Sequence, residues 1–228
     1  MQAIVLAGGF GTRLRQVVAD VPKPMAPVAG RPFLELVLNN LASKGFTKVV
    51  LSVGFMAEKI SGHFGHGYAG LELAYAIEDH PLGTGGGVRM AMNHITDDHV
   101  FVLNGDTFLD LEVALVEQHW QGQKRPIIIG REVPDTVRYG RLLSSNGAAT
   151  GFTEKGVVGP GLINAGCYVL NRAQLNEFAQ NTPFSLETDF LSPAVAQGEF
   201  DVFVTTGTFI DIGIPEDYAR AQTELSGY

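Results

Sequence analysis

The chain reads as an α/β fold: one domain on a central sheet that is mostly parallel, becomes mixed toward the C-terminal half and carries helices on both faces. Three observations predict this. Aliphatic or β-branched runs without polar alternation, as strands covered on both faces require, recur at residues 3–7, 48–53, 100–103 and 127–129. Helical patterns separate these runs, and repeated βα units give parallel strands with right-handed crossovers. The 228 residues suit one large domain.

In chain order, the first strand covers residues 3–7. Residues 32–44 follow as a helix, because Phe33, Leu34, Val37, Leu38 and Leu41 recur at helical spacing between Pro32 and Gly45. With the strand at 48–53 this makes a βαβ crossover. Further helices are predicted at 56–64, 85–93 and 111–121. Beyond residue 130 the pattern changes: 141–143, 151–153, 163–170 and 200–204 are strand-like with turn residues between them, which predicts a mixed sheet. Segments 171–178 and 187–195 predict short helices, and 215–225 a closing helix with Pro215 in its first turn. There is no internal repeat and no low-complexity tract.

Composition narrows the function classes. Sixteen Lys and Arg against 24 Asp and Glu give a net charge of −8, which opposes a general nucleic-acid or anionic-membrane surface. Any phosphate is expected to be met locally. The single cysteine, Cys167, excludes an internal disulfide framework and a Cys-rich zinc site, and fits a reducing, cytoplasmic setting. Nothing in the sequence directs it to a membrane or to export. A homodimer is compatible with the chain.

The first strand runs into Gly8-Gly9-Phe10-Gly11-Thr12-Arg13-Leu14, with Pro22-Lys23-Pro24 beyond it. Glycines let backbone N–H groups approach a phosphate closely; Arg13 adds a bidentate donor and Lys23 a mobile point charge. This is not a Walker A loop, and a dinucleotide fingerprint would need glycine at Leu14. Asp106, in Leu103-Asn104-Gly105-Asp106, and Asp211, after Thr208-Phe209-Ile210, should each sit at a strand end. Together they would suit Mg²⁺, which takes one or two protein carboxylates; singly, each could merely cap a turn. Pro81-Leu82-Gly83-Thr84-Gly85 either approaches a base through backbone groups or simply opens a helix. Glu154-Lys155 could meet a hydroxyl and a phosphate or be a solvated pair, and Asn164 could contact a polyol or be satisfied by backbone. No nucleophile elbow or Cys-His signature supplies a covalent catalyst.

Taken together, Leu6-Ala7-Gly8-Gly9-Phe10-Gly11-Thr12-Arg13-Leu14, Pro22-Lys23-Pro24, Pro81 to Gly85, Asn104-Gly105-Asp106, Glu154-Lys155, Asn164-Ala165-Gly166 and Phe209 to Gly213 resemble the sugar-1-phosphate nucleotidyltransferase family across nearly the whole chain. One departure is the absence of the proline usual after the Arg-Leu, where Arg15-Gln16-Val17 stand. The resemblance implies a Rossmann-like three-layer α/β/α domain of the nucleotide-diphospho-sugar transferase type over 1–228, with 1–110 as the nucleotide-binding half and 111–228 as the sugar-phosphate-binding half. It also implies a reaction. The oxygen of a sugar 1-phosphate attacks the α-phosphorus of a nucleoside triphosphate, and pyrophosphate leaves.

On that resemblance Arg13, Lys23 and Asp106 are the catalytic residues, and Asp106 and Asp211 bind Mg²⁺. Leu6, Ala7, Gly8, Gly9, Gly11, Thr12, Arg13, Glu78 and Gly83 hold the nucleotide. Asn104, Gly140, Glu154, Lys155 and Asn164 face the sugar phosphate. Residues 15–27, 51–55 and 209–218 more narrowly resemble the branch that transfers GMP from GTP to a manno-configured heptose 1-phosphate. A carboxylate at Glu78 would accept from guanine N1–H and N2–H₂ together. The rivals within the family are N-acetylmuramate 1-phosphate uridylyltransferases, mannose 1-phosphate guanylyltransferases and glucose 1-phosphate thymidylyltransferases. The rival outside it is a catalytically silent nucleotide-sugar sensor, against which the joint presence of Arg13, Lys23, Asp106 and Asp211 speaks.

Overall fold

The computed structural model describes residues 1–9, 14, 18 and 20–228. The strands are β1 (Gln2–Leu6), β2 (Pro27–Val28), β3 (Arg31–Pro32), β4 (Lys48–Val53), β5 (Gly67–Tyr68), β6 (Leu71–Ile77), β7 (His99–Asn104), β8 (Thr107–Leu109), β9 (Ile127–Val133), β10 (Leu142–Ser145), β11 (Ala148–Phe152), β12 (Gly161–Asn171), β13 (Asp201–Thr205) and β14 (Phe209–Asp211). The α-helices are α1 (Phe33–Ser43), α2 (Ala57–Phe64), α3 (Gly83–Ala91), α4 (Val113–Gln123), α5 (Ser192–Ala196) and α6 (Pro215–Glu224).

Among the described residues a 10-stranded sheet runs in the order β10-β11-β13-β9-β12-β7-β1-β4-β6-β5. The pairings β7/β1, β1/β4, β4/β6 and β9/β13 are parallel. β12 enters antiparallel between β7 and β9, and β11 pairs antiparallel with β10 and β13. Only β5, β11 and β12 therefore run against the other seven, so the sheet is mixed and mostly parallel, as the sequence predicts.

The apolar runs are strands rather than helices because both faces are covered. In β1, Ala3 and Val5 enter one core cluster and Ile4 the other; in β7, Phe101 and Leu103 enter the first and Val100 and Val102 the second. α1, α2, α4 and α6 pack on the first face, contributing Phe33, Ile60, Trp120 and Ala221 among others. α3 and α5 cover the second through Val88, Ala91, Ala194 and Val195. Cys167 lies in the first of these two clusters, and burial pushes its thiol up to about 12, so it stays protonated and inert.

Two expectations need correction, and one strand lies where the sequence pattern predicts none. β6 is that strand: its mixture of exposed Glu72 and Ile77 with buried Leu71, Leu73 and Ala76 lacks the uniform apolarity of its neighbours, because it lies near the sheet edge. Residues 171–178 form successive turns, not a helix. Gln174, Asn176 and Phe178 donate to the carbonyls of Asn171, Ala173 and Leu175, and no longer-range helical ladder forms. The helix predicted at 187–195 is divided into a π-helical turn, Leu186–Leu191, and the short α5. Pro193 has no N–H to donate, and the Ser192 N–H bonds back to Glu187 O.

Candidate active site

Register brings the carboxyl ends of the parallel strands level, since Leu6 of β1 lies opposite Ser52 of β4 and Asn104 of β7. In open α/β sheets ligands bind beyond these ends. A cleft of about 580 Å³ lies there, lined by residues that include Leu6, Ala7, Gly8, Gly9, Lys23, Ser52, Glu78, Gly83, Thr84, Asn104, Asp106, Glu187 and Gly213. It therefore gathers nine of the residues singled out in the sequence. Gly11, Thr12 and Arg13 lie outside the described residues.

The floor of the cleft is held by backbone bonds between loops. Ala7 N–H donates to Ser52 O at 2.8 Å, and Gly105 N–H donates to Leu6 O at 2.9 Å. Gly8 is glycine for close approach: a Cβ there would stand 3.2 Å from both Glu78 Oε1 and Gly54 N. Glu78 follows β6 directly. Its Oε1 accepts from Ser52 Oγ at 3.2 Å and its Oε2 from Leu82 N–H at 2.9 Å, so each oxygen keeps one acceptor position for a ligand. Gly83 opens α3 at φ +70°, with Phe184 O 2.6 Å from where a Cβ would sit. Only glycine satisfies both conditions.

Lys23 stands in a short 3₁₀ turn, Lys23–Met25, entered through Pro22. Its side chain is only 11% exposed, and its Nζ pairs with Asp106 Oδ2. Asp106 follows β7, while Asp211 ends β14, which pairs with β8 so that Asp211 faces Thr107. Ile212 N–H donates to Asp106 O at 2.9 Å, locking the two strand ends together. Burial, then the Asp106 charge, raises the Asp211 carboxyl above its ordinary value; Lys23 and the Gly213 N–H, 2.6 Å from Oδ1, pull the other way. Two carboxylates and one ammonium thus converge from three separate stretches of the chain, Lys23 and Asp106 alone being 83 residues apart.

The remaining sequence candidates sit elsewhere. Gly140 packs against Thr153, whose carbonyl lies 2.5 Å from where a Cβ would be, so Gly140, Glu154 and Lys155 share one neighbourhood outside the cleft lining. Lys155 is exposed and forms no ion pair with a described residue. Asn164 donates to Tyr168 Oη at 2.8 Å and accepts from Gly166 N–H at 3.0 Å, and it too lies off the lining. The alternative of a polar side chain satisfied within the protein describes its observed contacts.

Sequence reasoning missed several residues near the cleft. Glu187, which no motif marked, faces it together with Thr84 of segment 81–85, and Thr84 Oγ1 donates to Glu187 Oε2 at 2.7 Å. Their separation, 103 residues, left no local signal. Arg138 was also missed. It pairs with buried Asp217 of α6 at 2.6 Å, and this bond holds the guanidinium above its ordinary pKa. Next to it, Tyr139 packs edge-on against Phe209, two residues before Asp211.

A family model described as nucleotidyl transferase matches residues 2–227. The chain belongs to this family. It is 38% identical, over the whole of both chains, to D-glycero-alpha-D-manno-heptose 1-phosphate guanylyltransferase of Aneurinibacillus thermoaerophilus. To the enzyme of the same name from Campylobacter jejuni it is 36% identical, over 96% of this chain and 97% of the other. A crystal structure of HddC from Yersinia pseudotuberculosis complexed with GMP-PN superposes with a TM-score of 0.88 at 36% identity, covering 98% of this chain and 99% of that one. As a nucleotidyltransferase the chain is a transferase of nucleotide-sugar synthesis, and no helix among the described residues is long and apolar enough to cross a membrane.

Proposed function

We propose that this nucleotidyltransferase moves GMP from GTP to D-glycero-α-D-manno-heptose 1-phosphate, giving a GDP-heptose and pyrophosphate. The observation that carries the reading is the convergence of Lys23, Asp106 and Asp211 at a cleft that also presents the glycine loop and Glu78. Full-length similarity to heptose 1-phosphate guanylyltransferases supports the choice of substrates.

The sugar-phosphate oxygen attacks the α-phosphorus of GTP; a new P–O bond forms there as the bond to pyrophosphate breaks. No protein nucleophile is required, so the chain's work is positioning and charge compensation. Leu6, Ala7, Gly8 and Gly9 bring backbone groups to the nucleotide, joined by Gly11, Thr12 and Arg13 as the resemblance implies. Lys23, shielded from water, offers its ammonium to phosphate oxygens near the reacting phosphorus. Glu78, with one acceptor position left on each oxygen, meets guanine N1–H and N2–H₂, while uracil offers a single N3–H. Gly83 supports the base side and Asn104 the sugar phosphate, joined there by Gly140, Glu154, Lys155 and Asn164 as the resemblance implies.

The donor set fits Mg²⁺. Asp106 and Asp211 are hard oxygen donors close enough that one raises the other's pKa, and Mg²⁺ takes one or two carboxylates together with substrate phosphates. When bound there, the ion would neutralise negative charge on the phosphate oxygens. Residues 1–110 and 111–228 accordingly divide as nucleotide and sugar-phosphate halves, with Asp211 returning from the second to the metal site.

The test is pyrophosphate release over a matrix of four nucleoside triphosphates and several sugar 1-phosphates. GTP with the manno-configured heptose 1-phosphate should give the highest kcat/KM. Faster turnover of UTP or dTTP would overturn the guanylyl assignment.

A further inference from the structure

Three consecutive glycines, Gly85, Gly86 and Gly87, stand inside α3, and all three are buried. Glycine is among the least favourable helix residues, so each needs a reason in the packing. For the first two the reason is the segment around residues 182–184. A Cβ on Gly85 would run into the Phe184 ring, and one on Gly86 would stand 2.8 Å from Thr182 O. Gly87 faces elsewhere. A Cβ there would stand 2.7 Å from Ser52 Oγ, 2.9 Å from Glu78 Oε1 and 3.6 Å from Leu6 Cδ2, and all three residues line the cleft.

The Glu78 side chain is thus enclosed by bare backbone. A Cβ on Gly8 would stand 3.2 Å from its Oε1, and one on Gly54 3.7 Å from its Cβ. Ser52, buried among the aliphatic residues of β4, donates from Oγ to Oε1 at 3.2 Å, while Leu82 N–H fixes Oε2 at 2.9 Å. A methyl group on residue 87 would overlap both Ser52 Oγ and Oε1, since each distance is shorter than a Cβ contact tolerates. Relief comes from turning the hydroxyl away and pushing the carboxylate off its seat. Both groups end flexible side chains, so the fold survives and the loss falls on where the carboxylate points.

We infer that Gly87 is a positioning residue for base selection: its missing side chain leaves the space in which Glu78 presents its carboxylate to the guanine edge. This deepens the proposed function and rests on its reading of Glu78. Gly87→Ala separates two effects of opposite sign, because backbone propensity favours Ala in a helix while the methyl group displaces the base reader.

Steady-state rates would be measured for the unmutated protein, Gly87→Ala and Gly62→Ala, with GTP and with ITP, which keeps N1–H but lacks the 2-amino group. Gly62 of α2 is the control, since nothing lies within 4 Å of where its Cβ would be. Gly87→Ala should lower kcat/KM for GTP about tenfold, carried by KM, and that for ITP several-fold less, so the GTP/ITP ratio falls. Its thermal midpoint should stay within about 4 °C of the unmutated protein's. Gly62→Ala should leave the ratio unchanged. Added to Glu78→Gln, Gly87→Ala should alter the ratio by less than about twofold, because it acts through the group already replaced. An unchanged ratio in Gly87→Ala, an equal further fall in the Glu78→Gln background, or a variant that unfolds would each overturn the inference. A lack of preference for GTP over ITP in the unmutated protein would instead overturn the reading of Glu78, and this inference with it.

Discussion

Replacing Glu112 by Gln tests how the strand carrying Asp211 is held. Glu112 precedes α4, and its carboxylate accepts three hydrogen bonds from the connection between β13 and β14: Thr205 Oγ1 at 2.5 Å, Thr206 Oγ1 at 2.8 Å and Thr206 N–H at 3.1 Å. Burial alone would raise its pKa, but these donors outweigh burial and hold it at about 2 against an ordinary 4.5. Full linkage sets an upper bound of about 3 kcal/mol for the ionised form. Solvent screening at a partly exposed site brings the expected value to about 1 to 2 kcal/mol. Because the folded pKa is depressed, this stability is present above pH 4.5 and is lost as pH falls toward 2. Urea unfolding from pH 7 down to pH 3 is the assay. Glu112→Gln should be about 1 to 2 kcal/mol less stable at pH 7, with the gap narrowing through pH 4.5 to 3. A pH-independent gap would mean that the carboxylate's charge is irrelevant and that only the shape of the staple matters.

Three further outcomes follow from the proposed chemistry. Asp106→Asn and Asp211→Asn should each lose on the order of 10²-fold or more in Mg²⁺-dependent turnover with far-UV circular dichroism unchanged, and near-normal rates at saturating Mg²⁺ would remove that residue from the metal site. Lys23→Ala should lower kcat more than it raises KM for either substrate; an effect on KM alone would indicate uniform ground-state binding. Glu78→Gln should erode the preference for GTP over UTP by roughly 5- to 150-fold, the cost of an unpaired buried polar group, and an unchanged ratio would show that the base is read elsewhere.

The parts of the molecule legible in the sequence are those governed by local rules. β1, β4 and β7 announced themselves because strands buried on both faces read as apolar runs, and α1 because its apolar spacing, entry proline and closing glycine are all local. The residues of each family motif likewise lie within a few positions of one another, so the glycine loop, Lys23 and Asp106 could be named before any contact was known.

What depends on neighbours could not be read. β6 is a strand because β4 supplies its ladder, not because its composition demands one. Residues 171–178 have helical composition yet settle into consecutive turns, since propensity is weak where tertiary contacts decide. Asn164 spends its amide on Tyr168 and Gly166, a partnership set by the irregular pairing of β12 with β9. The deciding electrostatics are also tertiary: Asp211 feels Asp106, and Glu187 is anchored by Thr84, only because β8 meets β14 and the π-helical turn meets α3. Sequence determined which chemical groups exist and which local elements carry them. Folding decided which charges lie within a few ångströms of each other, because Coulomb and hydrogen-bond energies depend on distance in space and on burial, and separation along the chain sets neither.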